Sequence, residues 1–523
     1  MFIVIFLILF IPSLIFYLNL KLIKQGSDHY YHTLIIDLIL KHKRKFVFTH
    51  DNIVNENIVS YPQLMHWILS FFSKELLEKI STKLIIVFSF LSSICFFIFL
   101  KYLGIYIELF KNEYYMILAS LVFYLIPFNY HSGNAKNTGA SARGLGLLLG
   151  QVLLYLLVLY KLSDNYIYLW LSVIPCFLSF ISSQFATQYV LFYLIVLSIS
   201  FLDIYFIFVL LSSLALFFLI MPKVALNYFR GQYGHKKLYS QHLASVYILK
   251  NRPSIWGDIF IFLPKQIYYF FKRDILRIKY KLRDYLNNNS LIILIFQIPL
   301  ILVIFIYSYY NSFEINSHEK ILMTFLMTLF LIFLIITFRP FRFLGEPERY
   351  LEFGFGIIAI LSLLILPINL ILINIGFCIL YLCVDYGLRF KNTKTIETVN
   401  TDNNFNTFIN DAKNVLLKDR EGVLLSDSVE LTKFFLDIRL KIYFFVVNLE
   451  KSDDFHFKDL YKTMYAYISP DAMIELIKYY KITYLVVDNV SWKTYHQDLL
   501  SNDINYSVSI DANNYKLLKL TTN

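Results

Sequence analysis

The chain has 523 residues, of which 58% are hydrophobic and only 16% charged, and its mean hydropathy is +0.57. A water-soluble fold cannot hide that much apolar surface, which excludes an ordinary globular enzyme and leaves a chain built for a lipid bilayer. The net charge of +11 suits anionic headgroups or an anionic substrate, and membrane embedding argues against a nucleic-acid partner.

In chain order, apolar windows predict about eleven spanning helices, near residues 2–22, 83–101, 114–129, 142–160, 166–183, 187–202, 204–221, 291–310, 319–338, 351–366 and 370–388. A stretch of about 20 apolar residues crosses a hydrocarbon core of roughly 30 Å. The first window lacks a basic leading segment and a small-residue cleavage pattern, so it reads as a retained helix. A large polar first loop, 23–82, contains helical pieces at 64–72 and 74–80. A basic loop, 222–290, carries an apolar patch at 255–271 that Asp258, Pro264 and Lys265 interrupt, which suits an interfacial position.

After Phe390 the composition turns to Asn, Asp, Thr and Lys, the mark of a linker. The fold class expected is therefore a mainly α membrane protein over 1–390 with a small soluble α/β domain over 391–523. In that domain strand-type runs at 422–425, 442–447 and 483–487 alternate with helix-type runs at 429–437 and 470–480, and a hairpin near 511–514 closes it. It contains no GxGxxG or phosphate-loop pattern, so nucleotide binding is unsupported. Cys95, Cys176, Cys378 and Cys383 fall in apolar stretches without metal-ligand spacing.

Five polar stretches can carry chemistry. Gly26-Ser27-Asp28-His29-Tyr30-Tyr31-His32 follows the first helix directly and sets a carboxylate and two imidazoles at the membrane surface. If the segment is helical, Asp28 and His32 share a face; the plainer reading is a helix cap with two interfacial histidines. Tyr61-Pro62-Gln63-Leu64-Met65-His66-Trp67 reads as a proline-opened amphipathic helix along the bilayer surface. Arg143 stands at a helix start, where backbone N–H groups and a guanidinium can jointly hold phosphate oxygens, or where the side chain simply reaches the headgroups. Gln184 belongs to a polar break between two apolar helices, either a cavity wall or a tight turn.

The densest stretch is Arg339-Pro340-Phe341-Arg342-Phe343-Leu344-Gly345-Glu346-Pro347-Glu348-Arg349-Tyr350, with three arginines and two glutamates between two spanning segments. Charges there are costly unless paired or functional. Guanidinium forks suit a phosphate, and Glu346 and Glu348 can orient them or accept sugar hydroxyls; a solvated anchoring loop is the alternative.

Together these residues resemble the GT-C superfamily of membrane glycosyltransferases, which use polyprenyl-phosphate-linked sugars. Gly26-Ser27-Asp28-His29-Tyr30-Tyr31-His32 is similar to the acidic motif that follows helix one in that superfamily, and Tyr61-Pro62-Gln63-Leu64-Met65-His66 to the surface helix behind it. Glu348-Arg349-Tyr350 is similar to the Glu-x-Arg-Phe or Arg-Tyr elements of its external loops, without the His-Lys-Glu beginning. The resemblance implies that Asp28 is the catalytic base and that His29, His32, Tyr61, His66, Arg143, Gln184, Arg342, Glu346, Glu348, Arg349 and Tyr350 line the substrate site. It also implies a polyprenyl-phosphate sugar donor, a glycan or lipid acceptor, surrounding membrane lipids and, in some relatives, a divalent metal. A Trp-Trp-Asp-Tyr-Gly motif is missing, which argues against peptide glycosylation.

A single site requires Asp28, Arg143, Gln184, Arg349 and the C-terminal domain on one side of the membrane, external if the N-terminus is cytoplasmic in an inner (cytoplasmic) membrane. The cluster Lys272, Arg273, Arg277, Lys279, Lys281 and Arg283 opposes this, since such a run favours the cytoplasm. The opposing functional class is a transporter or flippase of a lipid-linked or anionic substrate, and a non-catalytic relative is a third.

Overall fold

The computed structural model describes residues 27–48, 59, 61–80, 83–130, 141–238, 264, 267–272, 289–310, 316–338, 341, 344–400, 403–419, 422–426, 435, 441–442, 470–488, 492, 504–512 and 514–522. The window at 2–22 and most of the patch at 255–271 lie outside these residues. The first loop contributes helices α1 (Ser27–Lys41), α2 (Leu64–Leu69) and α3 (Lys74–Ile80). The bundle follows: α4 (Leu84–Leu103), α5 (Glu113–Leu125), α6 (Arg143–Ser163), α7 (Tyr166–Ser182), α8 (Gln184–Phe201), α9 (Tyr205–Ile220) and α10 (Pro222–Leu238). It resumes with α11 (Ser290–Gln297), α12 (Pro299–Tyr310), α13 (Ser317–Thr337), α14 (Glu348–Glu352), α15 (Phe355–Ile365) and α16 (Ile368–Asn400).

Their starts are written in the sequence as caps. The side chains of Asn112, Asn165, Ser183 and Asn289 accept from the first backbone N–H groups of α5, α7, α8 and α11, and Asn316 forms a reciprocal capping box with Glu319 at α13. Ten of the eleven apolar windows are helical, but fewer qualify as spans. Among the described residues five helices are long and apolar enough to cross a membrane: α4, α6, α8, α13 and Ile368–Gly387 of α16. The number rises to seven if each of two bent pairs is one span: α9 with Pro222–Tyr233 (117°) and α11 with α12 (78°). Both bends fall at a proline, Pro222 and Pro299, whose missing N–H and ring break the helical ladder. α5, α7 and α15 are apolar but shorter.

α6 sits at the centre of the packing. A Cβ at Gly146 would run into Ser183, and one at Gly150 into the Phe353 ring, so these glycines allow α8 and the α14–α15 junction to close in. At the other end of α6, Lys161 donates to Asp203 (2.7 Å) and lies over the rings of Tyr160, Phe201 and Phe206; Asp203 also accepts from Tyr160 (3.1 Å). This ties α6 to the turn between α8 and α9.

Beyond α16 come α17 (Asn403–Leu416), β1 (Val423–Ser426), β2 (Lys441–Ile442), α18 (Pro470–Tyr480), β3 (Tyr484–Asp488), β4 (Ile504–Ala512) and β5 (Tyr515–Thr522). The sheet order is β2-β1-β3-β5-β4, parallel across β2, β1 and β3 and antiparallel through the β4–β5 hairpin. Phe408, Ile409, Ala412 and Leu416 of α17 lie buried in one apolar cluster with Leu424, Val486 and Leu517 of the sheet. The helix-type run at 429–437 lies outside the described residues apart from Phe435.

Candidate functional site

Of the arginine-rich stretch, the structure describes 341 and 344–350. Gly345 has φ +105°, a conformation that L side chains avoid, and it turns the chain into α14. There Arg349 donates to Glu346 (2.7 Å), and Glu348 accepts from the Ser290 hydroxyl at the start of α11 (2.6 Å). Tyr350 donates to Gln188 of α8 (3.3 Å) and meets Phe185 edge-on at 5.0 Å. Glu348, Arg349 and Glu352 are all buried. Two glutamates and an arginine out of water require partners; Glu348 finds Ser290 at the start of α11, and Arg349 finds Glu346 just before α14.

The first loop forms a second polar group. His32 of α1 and His66 of α2 are hydrogen-bonded ring to ring, Nδ1 to Nε2 at 2.8 Å, and both are buried. Tyr61 presents its ring edge-on to both, at 5.1 and 5.8 Å. Burial, reinforced by His32, holds His66 well below the ordinary imidazole value despite the Pro62 carbonyl, so the ring is neutral at neutral pH. Its Nδ1 makes no well-aligned hydrogen bond among the described residues. Gln63 secures the approach to α2 by bonding both backbone groups of Val47, accepting from its N–H (2.9 Å) and donating to its carbonyl (2.7 Å).

Both groups lie at one end of the bundle. Ile36, Met65, Leu69 and Leu77 of the first loop share an apolar cluster with Leu84 and Ala142, which begin α4 and α6. Tyr61 and Pro62 face Phe180 and Ile181 at the end of α7 across a small cavity. Arg143 opens α6 at this end, its backbone N–H on Ser141 Oγ and one guanidinium nitrogen, Nη1, buried without a hydrogen-bond partner among the described residues. Gln184 opens α8 at the same end. Asp28 and His29 stand in the first turn of α1, with side chains outside the described set, as is Arg342 entirely. Among the described residues no group of three His, Cys, Asp or Glu side chains can hold a metal ion.

Neither a family model nor a curated protein matches the chain. Among solved structures it is similar to ArnT from Cupriavidus metallidurans bound to undecaprenyl phosphate, with 9% identity, 98% of this chain and 97% of that chain covered, and a TM-score of 0.42. A likeness at that level carries no argument for this chain's chemistry.

Three participants were not singled out from the sequence. Ser290 is 58 residues from Glu348, and nothing local announces the pair. Gln188 lies in the polar break read at 182–188, but that reading took Gln184 for the site, whereas Gln188 is the amide that meets Tyr350. Glu352 falls inside the apolar window 351–366, where it was not singled out, and it is buried. The spacing Glu348, Glu352 at i, i+4 was the available signal for a shared helical face.

Proposed function

We propose that the protein is a membrane glycosyltransferase that moves a sugar from a polyprenyl-phosphate carrier to a glycan, lipid or other envelope acceptor outside the cytoplasmic membrane. The observation that carries this reading is the gathering of the first-loop helix bearing Asp28, the Arg143 helix start and the buried Arg349 paired with the partly exposed Glu346 at one end of an apolar bundle. Spanning helices supply a path for a lipid tail, and that end supplies cations and carboxylates for a headgroup.

In the mechanism proposed, the Asp28 carboxylate takes the proton of the acceptor hydroxyl as its oxygen bonds the anomeric carbon. The bond from that carbon to the carrier's phosphate oxygen breaks, the electron pair leaves with the phosphate, and the single displacement inverts the anomeric centre. The hydroxyl acidifies as the bond forms, so an ordinary carboxylate suffices. Arg349, with Arg342 and Arg143, stabilises charge growing on the phosphate. Glu346 holds Arg349 in place, while His29, His32, Tyr61, His66, Gln184, Glu348 and Tyr350 shape the pocket. No step is routed through a metal ion.

The two bent helix pairs favour a second reading, a transporter or flippase, because broken helices line substrate paths in such proteins. Purified protein incubated with a panel of polyprenyl-phosphate sugars separates the two. Glycosyl transfer abolished by Asp28→Asn, with donor binding retained, supports the enzyme. Carrier translocation without transfer, or full activity in Asp28→Asn, overturns it.

A further inference from the structure

Residues Lys41, His42, Lys43, Arg44 and Lys45 form an unbroken basic run, and all five are exposed. The run is fastened to the surface helix behind it. Trp67 Nε1 donates to the Arg44 carbonyl (3.1 Å), Arg44 Nε donates to the Ser70 carbonyl (3.2 Å), and the Arg44 guanidinium lies 5.3 Å from the centre of the Phe71 ring. The turn itself is tight: Lys43 and Arg44 have φ of 55° and 59°, held by the Arg44 N–H on the Ile39 carbonyl (2.8 Å).

The helix to which the turn is tied has two faces. Met65, His66 and Leu69 point inward, while Ile68 (41%), Phe71 (55%), Phe72 (40%) and Leu76 (41%) stay exposed. The exposed apolar residues lead within a few positions to Leu84, where a helix long enough to span begins. They therefore stand at the level of the bilayer surface, with the basic turn pinned beside them. Lys79 and Lys83 are exposed on the same approach, and among the described side chains the exposed acids there are Asp37 and Glu75.

We propose that the 41–45 turn and the exposed side of residues 68–76 form one docking surface for anionic phospholipid headgroups of the adjoining leaflet. Phe71, Phe72, Ile68 and Leu76 enter the acyl boundary, as interfacial helices do, and Lys43, Arg44 and Lys45 meet the phosphates at headgroup height. An acidic soluble partner would satisfy the basic turn but leave the apolar residues unexplained. A neutral lipid would do the reverse. Docking of this kind sets the tilt of α1 and α2, and so of the His32–His66 contact, against the membrane.

The test uses the full chain in bilayer discs of phosphatidylcholine and phosphatidylglycerol, extracted gently, with the retained lipids counted by mass spectrometry. The wild type should retain phosphatidylglycerol in excess of its bulk share, and the excess should shrink as salt is added. Each lysine near an anionic surface favours it about fivefold, so Lys43→Asn with Lys45→Gln should lower the preference roughly tenfold or more, while arginine at both positions keeps it. Asparagine also suits the left-handed backbone at position 43. Phe71→Ser with Phe72→Ser should reduce retention of both lipids without changing their ratio. An unchanged ratio in the neutralised variant, or an excess indifferent to salt, overturns the proposal. So does displacement of phosphatidylglycerol from the wild type by equimolar polyprenyl phosphate, which would make the turn a substrate site.

Discussion

Replacing Arg349 probes the proposed phosphate site most directly. Its guanidinium is nearly buried and held by Glu346 at 2.7 Å, with Glu346 itself a quarter exposed. If this cation faces the leaving phosphate, Arg349→Ala removes a preorganised donor, a loss of about 10²–10³ in turnover or roughly 3–4 kcal/mol of transition-state stabilisation. Arg349→Lys keeps the charge but has no planar fork to bond Glu346 and a phosphate oxygen together, so a loss of about tenfold to a hundredfold is expected. Stability should move less: leaving the partly exposed Glu346 without its partner costs about 1–2 kcal/mol. The assay is single-turnover transfer from a polyprenyl-phosphate sugar, with donor affinity and thermal unfolding measured in parallel. Cysteines at Phe341 and Lys45 should label from the same side of the membrane. Near-normal kinetics in both Arg349 variants, or labelling from opposite sides, would refute the shared site.

The depressed His66 value makes a pH prediction. The unfolded chain binds a proton below about pH 6.5 while the buried ring stays neutral, so the folded first loop should lose stability as pH falls from there toward the lower folded value; hydrogen exchange at 61–70 should quicken on acidification, and less so in His66→Gln. Asp203→Asn should destabilise by about 2–3 kcal/mol, because Lys161 keeps its charge among three aromatic rings without its anion; Asp203→Leu with Lys161→Met should recover most of the melting temperature. Ser290→Ala removes the hydroxyl from a buried carboxylate and should cost about 1–3 kcal/mol, with turnover falling further than stability if Glu348 shapes the pocket.

Much of the bundle was legible because apolar windows are local. The windows expected from 114, 166 and 291 begin within a residue of α5, α7 and α11, and α2 and α3 fall where the first loop shows helical pieces. Span number was less legible, since hydropathy cannot see that Pro222 and Pro299 bend their helices or that α5, α7 and α15 are short. At the site, the sequence singled out His32, Tyr61 and His66 one by one, but the ring-to-ring contact joins residues 34 apart. The same limit hid Ser290 and Gln188: burial of Glu348 and Tyr350 is decided by which helices meet, and a local pattern carries no record of that.

The glycines of α6 bear on how this end of the protein can be altered. At Gly146 and Gly150 the clearance to Ser183 and Phe353 is about that of a hydrogen atom, and Phe353 stacks in turn on Tyr189 at 3.6 Å. A single added methyl group at position 150 therefore forces a shift of the Phe353 ring, four residues beyond Arg349, or of the helix that begins at Arg143. The packing between the helix that opens with Arg143 and the segment after Arg349 is thus open to perturbation from a position that carries no polar atom, which leaves both charges in place.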